Sequence, residues 1–133
     1  MRKEILNALE TALVNSNLFK KVYKGVLPPL PSVNSFPAIA IAIDKERRER
    51  VNIPGCQFQS ELNIIGIIYN RVSKTTYDDV LSDLIYGVEN VIQSDVTLND
   101  LVIDIYVKEI VQDGGLLHPY QLAELHIVAY FRN

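Results

Sequence analysis

Apolar residues recur at the spacing of an amphipathic helix in two segments of the chain. The first segment begins at Arg2 and ends near Asn15, where two polar residues break the pattern. The second begins at Thr76 and carries Asp79 at the N3 position of the helix. Acidic residues therefore lie near the positive end of the helix dipole. The predicted buried stripes are Ile5, Leu6, Leu9, Ala12 and Leu13 in the first helix, and Val80, Leu81, Leu84, Val88 and Val91 in the second.

Five other segments alternate with the period of a β-strand. Residues 19–24 predict a short edge strand whose lysines discourage further pairing. Residues 36–43 place isoleucines on one side and alanines on the other, which indicates a central strand that another group approaches closely. In residues 58–69 the even positions are apolar, while the odd positions change from polar to apolar. Residues 101–108 and 122–132 predict two half-buried strands.

A charged segment lies between the second and third strands. Residues 44–50 are all charged, and the chain then continues to Cys56 without a core pattern. This predicts a projecting arm or a long loop that a neighbouring molecule would order. Its cations either form a solvated loop or contact another subunit, and the interleaved acids weaken a nucleic-acid interpretation. These cations are Lys45, Arg47, Arg48 and Arg50.

The predicted fold class is α+β with the element order α-β-β-β-α-β-β. A four- to five-stranded antiparallel or mixed sheet would carry both helices on one face and the charged arm as a protrusion. The prolines at 28–31 predict a stiff extended connector. With 133 residues, 48% of them hydrophobic, the chain is expected to form a single domain over residues 1–133.

Composition and charge narrow the function classes. The lone Cys56 excludes an intramolecular disulfide and is typical of a protein made in a reducing cytoplasm. We expect neither a signal peptide nor a membrane span. The net charge of −3 conceals an asymmetry, because residues 1–74 carry a charge of +5 and residues 75–113 a charge of −8. Such a division is either accidental or typical of complementary faces that meet when copies stack head to tail.

The chain contains no recognised catalytic, nucleotide-binding or metal-binding motif. His118 and His126 are its only imidazoles, and nothing in the sequence brings them together. We therefore expect no catalytic residue, no bound cofactor and no metal, so the protein is not predicted to be an enzyme.

The sheet face opposite the helices is the most informative predicted surface. Its tyrosines and isoleucines are mixed with charged residues, which is typical of interfaces, although an ordinary solvated sheet face remains open as an alternative. The candidate interface residues on this face are Ile65, Ile67, Tyr69, Tyr106 and Tyr130.

Taken together, these segments resemble the phage tail terminator (tail completion) proteins. The resemblance rests on the first helix, the strand that opens with Phe36-Pro37-Ala38-Ile39, the charged arm, the helix from Tyr77 to Gln93, and the ending DGGLLHPYQLAELHIVAYFRN. It implies a structural virion protein, made in the host cytoplasm, that forms a ring at the head-proximal end of a phage tail.

The resemblance also implies a set of partners. The ring would be a hexamer that contacts the tail-tube protein on one side and a head completion or connector protein on the other. DNA would pass through its lumen without sequence-specific binding, and no membrane would be involved. Asp79 and Asp83 at the start of the second helix are candidate contacts for a partner, although the helix dipole already accounts for them. The alternatives are a small cytoplasmic ligand-binding or regulatory oligomer and, third, an enzyme that uses the two histidines.

Overall fold

The predicted order of elements is confirmed by the computed structural model, which describes residues 1–26, 36–71, 80–113 and 119–132. Two helices and five strands lie within these ranges. The helices are α1 (Arg2–Asn15) and α2 (Val80–Ser94). The strands are β1 (Lys21–Lys24), β2 (Ala38–Ile53), β3 (Cys56–Arg71), β4 (Asp104–Gln112) and β5 (Tyr120–Arg132).

The strands form one mixed sheet in the order β1-β2-β3-β5-β4. Strand β1 pairs parallel with β2, whereas all other neighbours are antiparallel. Strand β3 is the central strand, and it is paired over its length with β2 on one side and with β5 on the other. Strand β1 is a short edge strand, as predicted. Strand β4 forms the opposite edge of the sheet.

Both helices pack on one face of the sheet and enclose the main hydrophobic core. From α1, the core receives Ile5, Leu6, Leu9 and Leu13, which lie on one side of a helix at the expected spacing. The sheet contributes alternate residues, including Ile39, Ile41, Leu62, Ile64, Leu125 and Ile127, all of which are almost fully buried. The isoleucines of β2 therefore face the helices, and the alanines of β2 face the other way.

The buried stripe of α2 differs from the prediction by a rotation about the helix axis. Val80 is exposed and Val91 is half-buried, while Ile85 and Ile92 are buried with Leu81, Leu84 and Val88. The sequence offers apolar residues on both sides of the true stripe, so periodicity alone favours a slightly rotated face. Contact with β4, β3 and β5 selects the face that is buried.

The charged segment that follows Ile43 is part of β2, so the prediction of a long loop is wrong. Residues 45–50 pair with residues 58–63 of β3, and a two-residue turn, Pro54-Gly55, closes the hairpin. Gly55 has a φ of +82°, which this turn position requires after a proline. The backbone ladder satisfies the peptide groups here, so the segment needs no buried side chains to be a strand.

Of three register shifts in the sheet, one lies between Arg50 and Ile53 beside the hairpin turn, and two fall within long strand pairings and change which side chains share a face. The register of β2 against β3 shifts by one residue at Asp44, and the register of β4 against β5 shifts by one at Lys108. After each bulge, the alternation is inverted relative to the sequence pattern. Consequently Glu46 shares the helix side with its partner Leu62, and Glu109 rather than Lys108 continues the outer row of β4.

The start of the fourth strand also differs from the prediction. Sequence alternation places Leu101 and Ile103 with the core, but the strand begins only at Asp104. Leu98, Asn99 and Asp100 have positive φ values and form a turn before it. As a result Val102 is buried and Ile103 is 49% exposed.

Several predictions fall outside the described residues. They are the proline connector at 28–31 and the start of the second helix at Thr76 with Asp79, and His118 also lies there. Neither of the two helices within the described ranges is long and apolar enough to cross a membrane.

Replacing Ile105 with alanine is expected to lower the free energy of unfolding by about 2–5 kcal/mol, because this side chain is 1% exposed in the main core. The matched control is Ile103→Ala, only two residues away, which should cost less than about 1 kcal/mol because Ile103 is half exposed. Urea denaturation followed by circular dichroism measures both values. Equal losses would contradict the described start of β4.

Candidate functional site: the outer face of the sheet

The sheet face opposite the helices, called the outer face here, carries rows of side chains that run from β2 to β4. One row consists of Arg47, Glu61, Tyr130 and Asp104, which are successive cross-strand neighbours. The next row consists of Lys45, Asn63, Val128 and Tyr106. Cations therefore lie at the β2 end of these rows, while a carboxylate and a tyrosine lie at the β4 end.

At the other end of the outer face, the chain buries a second, smaller hydrophobic cluster. Phe36, Ala38, Ala40 and Tyr69 form it, and Ile67 packs against it. The alanines are fully buried, which confirms that another group approaches this flat side of β2 closely. That group includes the chain's own aromatic residues. Tyr69 is only 2% exposed, and burial raises the pKa of its phenol.

Tyr106 and Tyr130 form a stacked pair on the outer face. Their ring centroids are 6.2 Å apart, and their hydroxyl oxygens are separated by 3.4 Å. Tyr130 donates a hydrogen bond to Oε1 of Glu61 over 2.9 Å. The pKa of Tyr130 is raised most by its hydrogen bond with Tyr106 and next by the one to Glu61. The hydroxyl therefore stays protonated and holds the Glu61 carboxylate in place.

A groove of about 390 Å³ lies beside this pair. It is open to solvent and is lined by residues of β2, β3 and β5 with charges of both signs. The lining residues are Arg47, Arg48, Glu49, Gln59, Ser60, Glu61 and Tyr130. Such a mixed lining suits a polar protein segment better than an apolar small molecule.

The cations of β2 have different environments. Arg48 pairs with Glu46 and lies over the ring of Phe58, with 5.8 Å between its guanidinium carbon and the ring centroid. Glu46 also faces Arg2 of α1, whose Nε is 3.4 Å from Oε1. By contrast, Lys45, Arg47 and Arg50 are exposed and form no ion pair with the described part of the chain. These three cations are available to a partner.

The residues predicted from sequence therefore occupy separate places. Tyr106, Tyr130, Lys45 and Arg47 share the outer face, where Ile65 and Ile67 are half-buried. Arg50 is exposed on the helix side of the hairpin, and Tyr69 is enclosed in the small cluster. Asp83 is exposed in the first described turn of α2, on the other side of the sheet, and Asp79 lies outside the described residues.

Two residues that line up with the candidate interface residues were not named among them from the sequence. Glu61 accepts the hydrogen bond from Tyr130, and Asp104 ends the row that begins at Arg47. Alternation alone does place both residues on the outer face. Only the strand order β2-β3-β5-β4 and its register bring them into line with Tyr130 and Arg47.

The described residues contain no group of three or more potential metal ligands among His, Cys, Asp and Glu. His126 lies on the outer face, where its Nε2 is 3.5 Å from Oε2 of Glu124. This is a partly exposed pair on one strand, and Glu109 of β4 is the cross-strand neighbour of His126.

Comparison with known proteins identifies the family. A model of a family described as bacteriophage tail tube terminator proteins matches residues 2–133. The chain therefore belongs to this family, and it is a structural protein of the virion tail. No curated protein matches the sequence.

The fold also occurs in a solved virion structure. A chain of the virion of a native gene transfer agent (GTA) particle superposes with a TM-score of 0.51 and 7% sequence identity. The match covers 94% of this chain and 84% of that chain. At this identity the likeness establishes a shared fold, and the surface chemistry described above is that of this chain alone.

Removing the Tyr130 hydroxyl with Tyr130→Phe is expected to lower the free energy of unfolding by about 0.5–1.5 kcal/mol, because the bond to Glu61 is lost. In a Glu61→Ala background the same change should cost less, since the acceptor is already absent. Tyr86→Phe is the matched control, because Tyr86 is 69% exposed. Equal costs in both backgrounds, measured by urea denaturation, would show that the bond contributes nothing.

The raised pKa of Tyr130 sets the pH range over which its hydroxyl contributes to the free energy of unfolding. An unfolded tyrosine ionises near pH ~10. Below that pH both states are protonated and the contribution is complete. As the pH rises further, the unfolded chain loses the proton first, so stability falls more steeply in the wild type than in Tyr130→Phe.

Proposed function

We propose that the protein ends tail-tube polymerisation as a homo-oligomeric ring at the head-proximal end of the tail. The match of the tail tube terminator family model to residues 2–133 carries this proposal. The ring is a hexamer in the proposal, with the whole chain acting as one unit. One side of the ring binds the last layer of tail-tube protein, and the other side binds a head completion or connector protein.

The uneven distribution of charge supports such an assembly. Residues 1–74 carry a charge of +5, and residues 75–113 carry a charge of −8. A subunit with one basic and one acidic part attracts identical copies head to tail, and a rotation that closes makes a ring. Electrostatic complementarity of this kind mainly sets orientation and association rate.

Exposed groups on the described surface supply the contacts for this role. Lys45, Arg47 and Arg50 are exposed on the hairpin without an ion-pair partner among the described residues, and Tyr106 is 40% exposed beside the groove. Tyrosine and arginine are favoured in protein interfaces because they combine apolar area with polar anchoring. DNA would pass through the lumen without base-specific contacts. No catalytic step is needed, because the function is to bind two different partners and present a top that no further tube subunit can use.

Particles assembled without this protein are expected to contain overlong tails or tails detached from heads, because nothing would cap the growing tube. Negative-stain electron microscopy of lysates from a phage that lacks the gene measures tail length and attachment. Supplying the wild-type gene from a plasmid should restore uniform, attached tails. Uniform tails joined to heads in the absence of the protein would refute the proposed role.

The double charge reversal Arg47→Glu with Arg50→Glu should leave the fold intact and impair ring assembly on tails. Arg48 is left unchanged because its pair with Glu46 lies within the subunit. The control is Lys3→Glu with Lys20→Glu, which makes the same change in net charge at exposed residues outside the hairpin. Circular dichroism reports the fold, and electron microscopy of complemented particles reports the tails. Normal tails from the hairpin variant would remove these arginines from the interface.

A further inference from the structure

The two edges of the sheet differ in how they are protected. Strand β1 covers only Ala38–Ile41 of β2, and Gly25 then donates its N–H to the carbonyl oxygen of Ile41 over 2.8 Å. Beyond this point, no described residue pairs with the outer edge of β2 from Ala42 to Ile53. At the opposite side, the nine-residue strand β4 pairs only with β5 among the described residues. Within the described ranges, the sheet thus has two long edges without a partner strand, each with a row of backbone donors and acceptors.

The open edge at β4 carries half-exposed apolar side chains on both sides of the charged bulge at Lys108. Tyr106, Ile110 and Val111 are each about two-fifths exposed, at 40%, 41% and 44%. The short strand β1, in contrast, is flanked and occupied by Lys20, Lys21 and Lys24, which protect an edge against pairing. A long edge with half-exposed apolar side chains is a template for another strand.

Charge makes the two open edges complementary. The row that begins at Arg47 on β2 ends at Asp104 on β4, and the row that begins at Lys45 ends at Tyr106. A neighbouring copy placed at the same level would therefore bring its Arg47 next to Asp104 and its Lys45 next to Tyr106. Opposite charges and cation–aromatic contacts both stabilise cross-strand neighbours.

Strand direction permits this contact in a ring. In the sheet β2 and β5 run one way, while β3 and β4 run the other way. A rotation about an axis along the strands preserves direction, so β4 of one copy and β2 of the next run antiparallel. At this level Asp104–Glu109 of one copy faces the free segment Ala42–Arg47 of the next, whereas Ile110–Gln112 lies level with Ile39–Ile41, which β1 covers.

We infer that the occupant of the β4 edge is a second copy of this chain, whose β2 segment Ala42–Arg47 pairs with Asp104–Glu109 and continues the sheet from one subunit to the next. This inference rests on the proposed ring and specifies how its subunits are joined. The contact is heterologous, because each subunit offers β4 on one side and β2 on the other, and such contacts close into a ring when the rotation permits.

Hydrogen–deuterium exchange tests the backbone pairing without altering the protein. Amide exchange is compared between the free subunit and rings on purified tails. Exchange should slow on assembly in both Asp104–Glu109 and Ala42–Arg47, while Lys21–Lys24 serves as the internal control and stays unchanged. Rings that leave exchange at both edges unaltered would overturn the inference.

Cross-linking identifies the neighbour. In a Cys56→Ser background, tails carrying Arg47→Cys with Asp104→Cys are treated with a bismaleimide whose reach allows a shift of two residues, or about 7 Å. The double variant should give a ladder of terminator multimers, whereas either single variant should give none. Dimers from a single variant, cross-links to the tube protein, or no 47–104 cross-link would each overturn the inference.

These results separate the inference from the proposed function. If electron microscopy shows rings but exchange and cross-linking are negative, the subunits are joined by another surface and the proposed function stands. If tails carry no terminator ring at all, the proposed function fails, and the inference fails with it.

Discussion

Pairing on both sides of β3 is the constraint on which the rest of the structure depends. This strand has sixteen residues and is about 50 Å long, whereas a helix of fourteen or fifteen residues is only about 22 Å long. Two such helices cannot cover both ends of the strand. The sheet must therefore continue into solvent, where backbone hydrogen bonds to β2 and β5 maintain it without a buried face. The charged hairpin is the result of this difference in length.

The same constraint explains how much of the fold could be predicted. Where a strand lies under the helices, one face must be apolar, so Ile39, Ile41, Leu62 and Ile64 reveal it by alternation. Toward the hairpin turn, residues 44–50 carry no apolar signal even though they form a strand, because exposed charges and the ion pairs of Glu46 take the place of apolar contacts. Their secondary structure depends on a partner strand, which a local pattern cannot report.

The candidate site was predictable in composition but not in arrangement. Alternation placed Tyr106 and Tyr130 on the outer face, and the flat alanines correctly indicated a close approach to β2. The partners of these residues depend on the strand register. Tyr69 packs with Ala38 and Ala40, and Glu61 accepts the hydrogen bond from the Tyr130 hydroxyl. The bulge at Asp44 cannot be read from apolar spacing, because residues 45–50 after it are all charged, and the bulge at Lys108 is hidden because apolar Ile110 and Val111 follow it on opposite faces.

The bulge at Asp44 makes the hairpin far more sensitive to length than to sequence. Because the bulge inverts the alternation, it sends Glu46 and Arg48 toward α1 and leaves Lys45 and Arg47 on the outer face. Removing this single residue would exchange the two sets, so the contact between Glu46 and Arg2 and the outer cations would be lost together. Natural variants of this protein should therefore tolerate many substitutions along the hairpin but retain its residue count between Ile43 and Lys45.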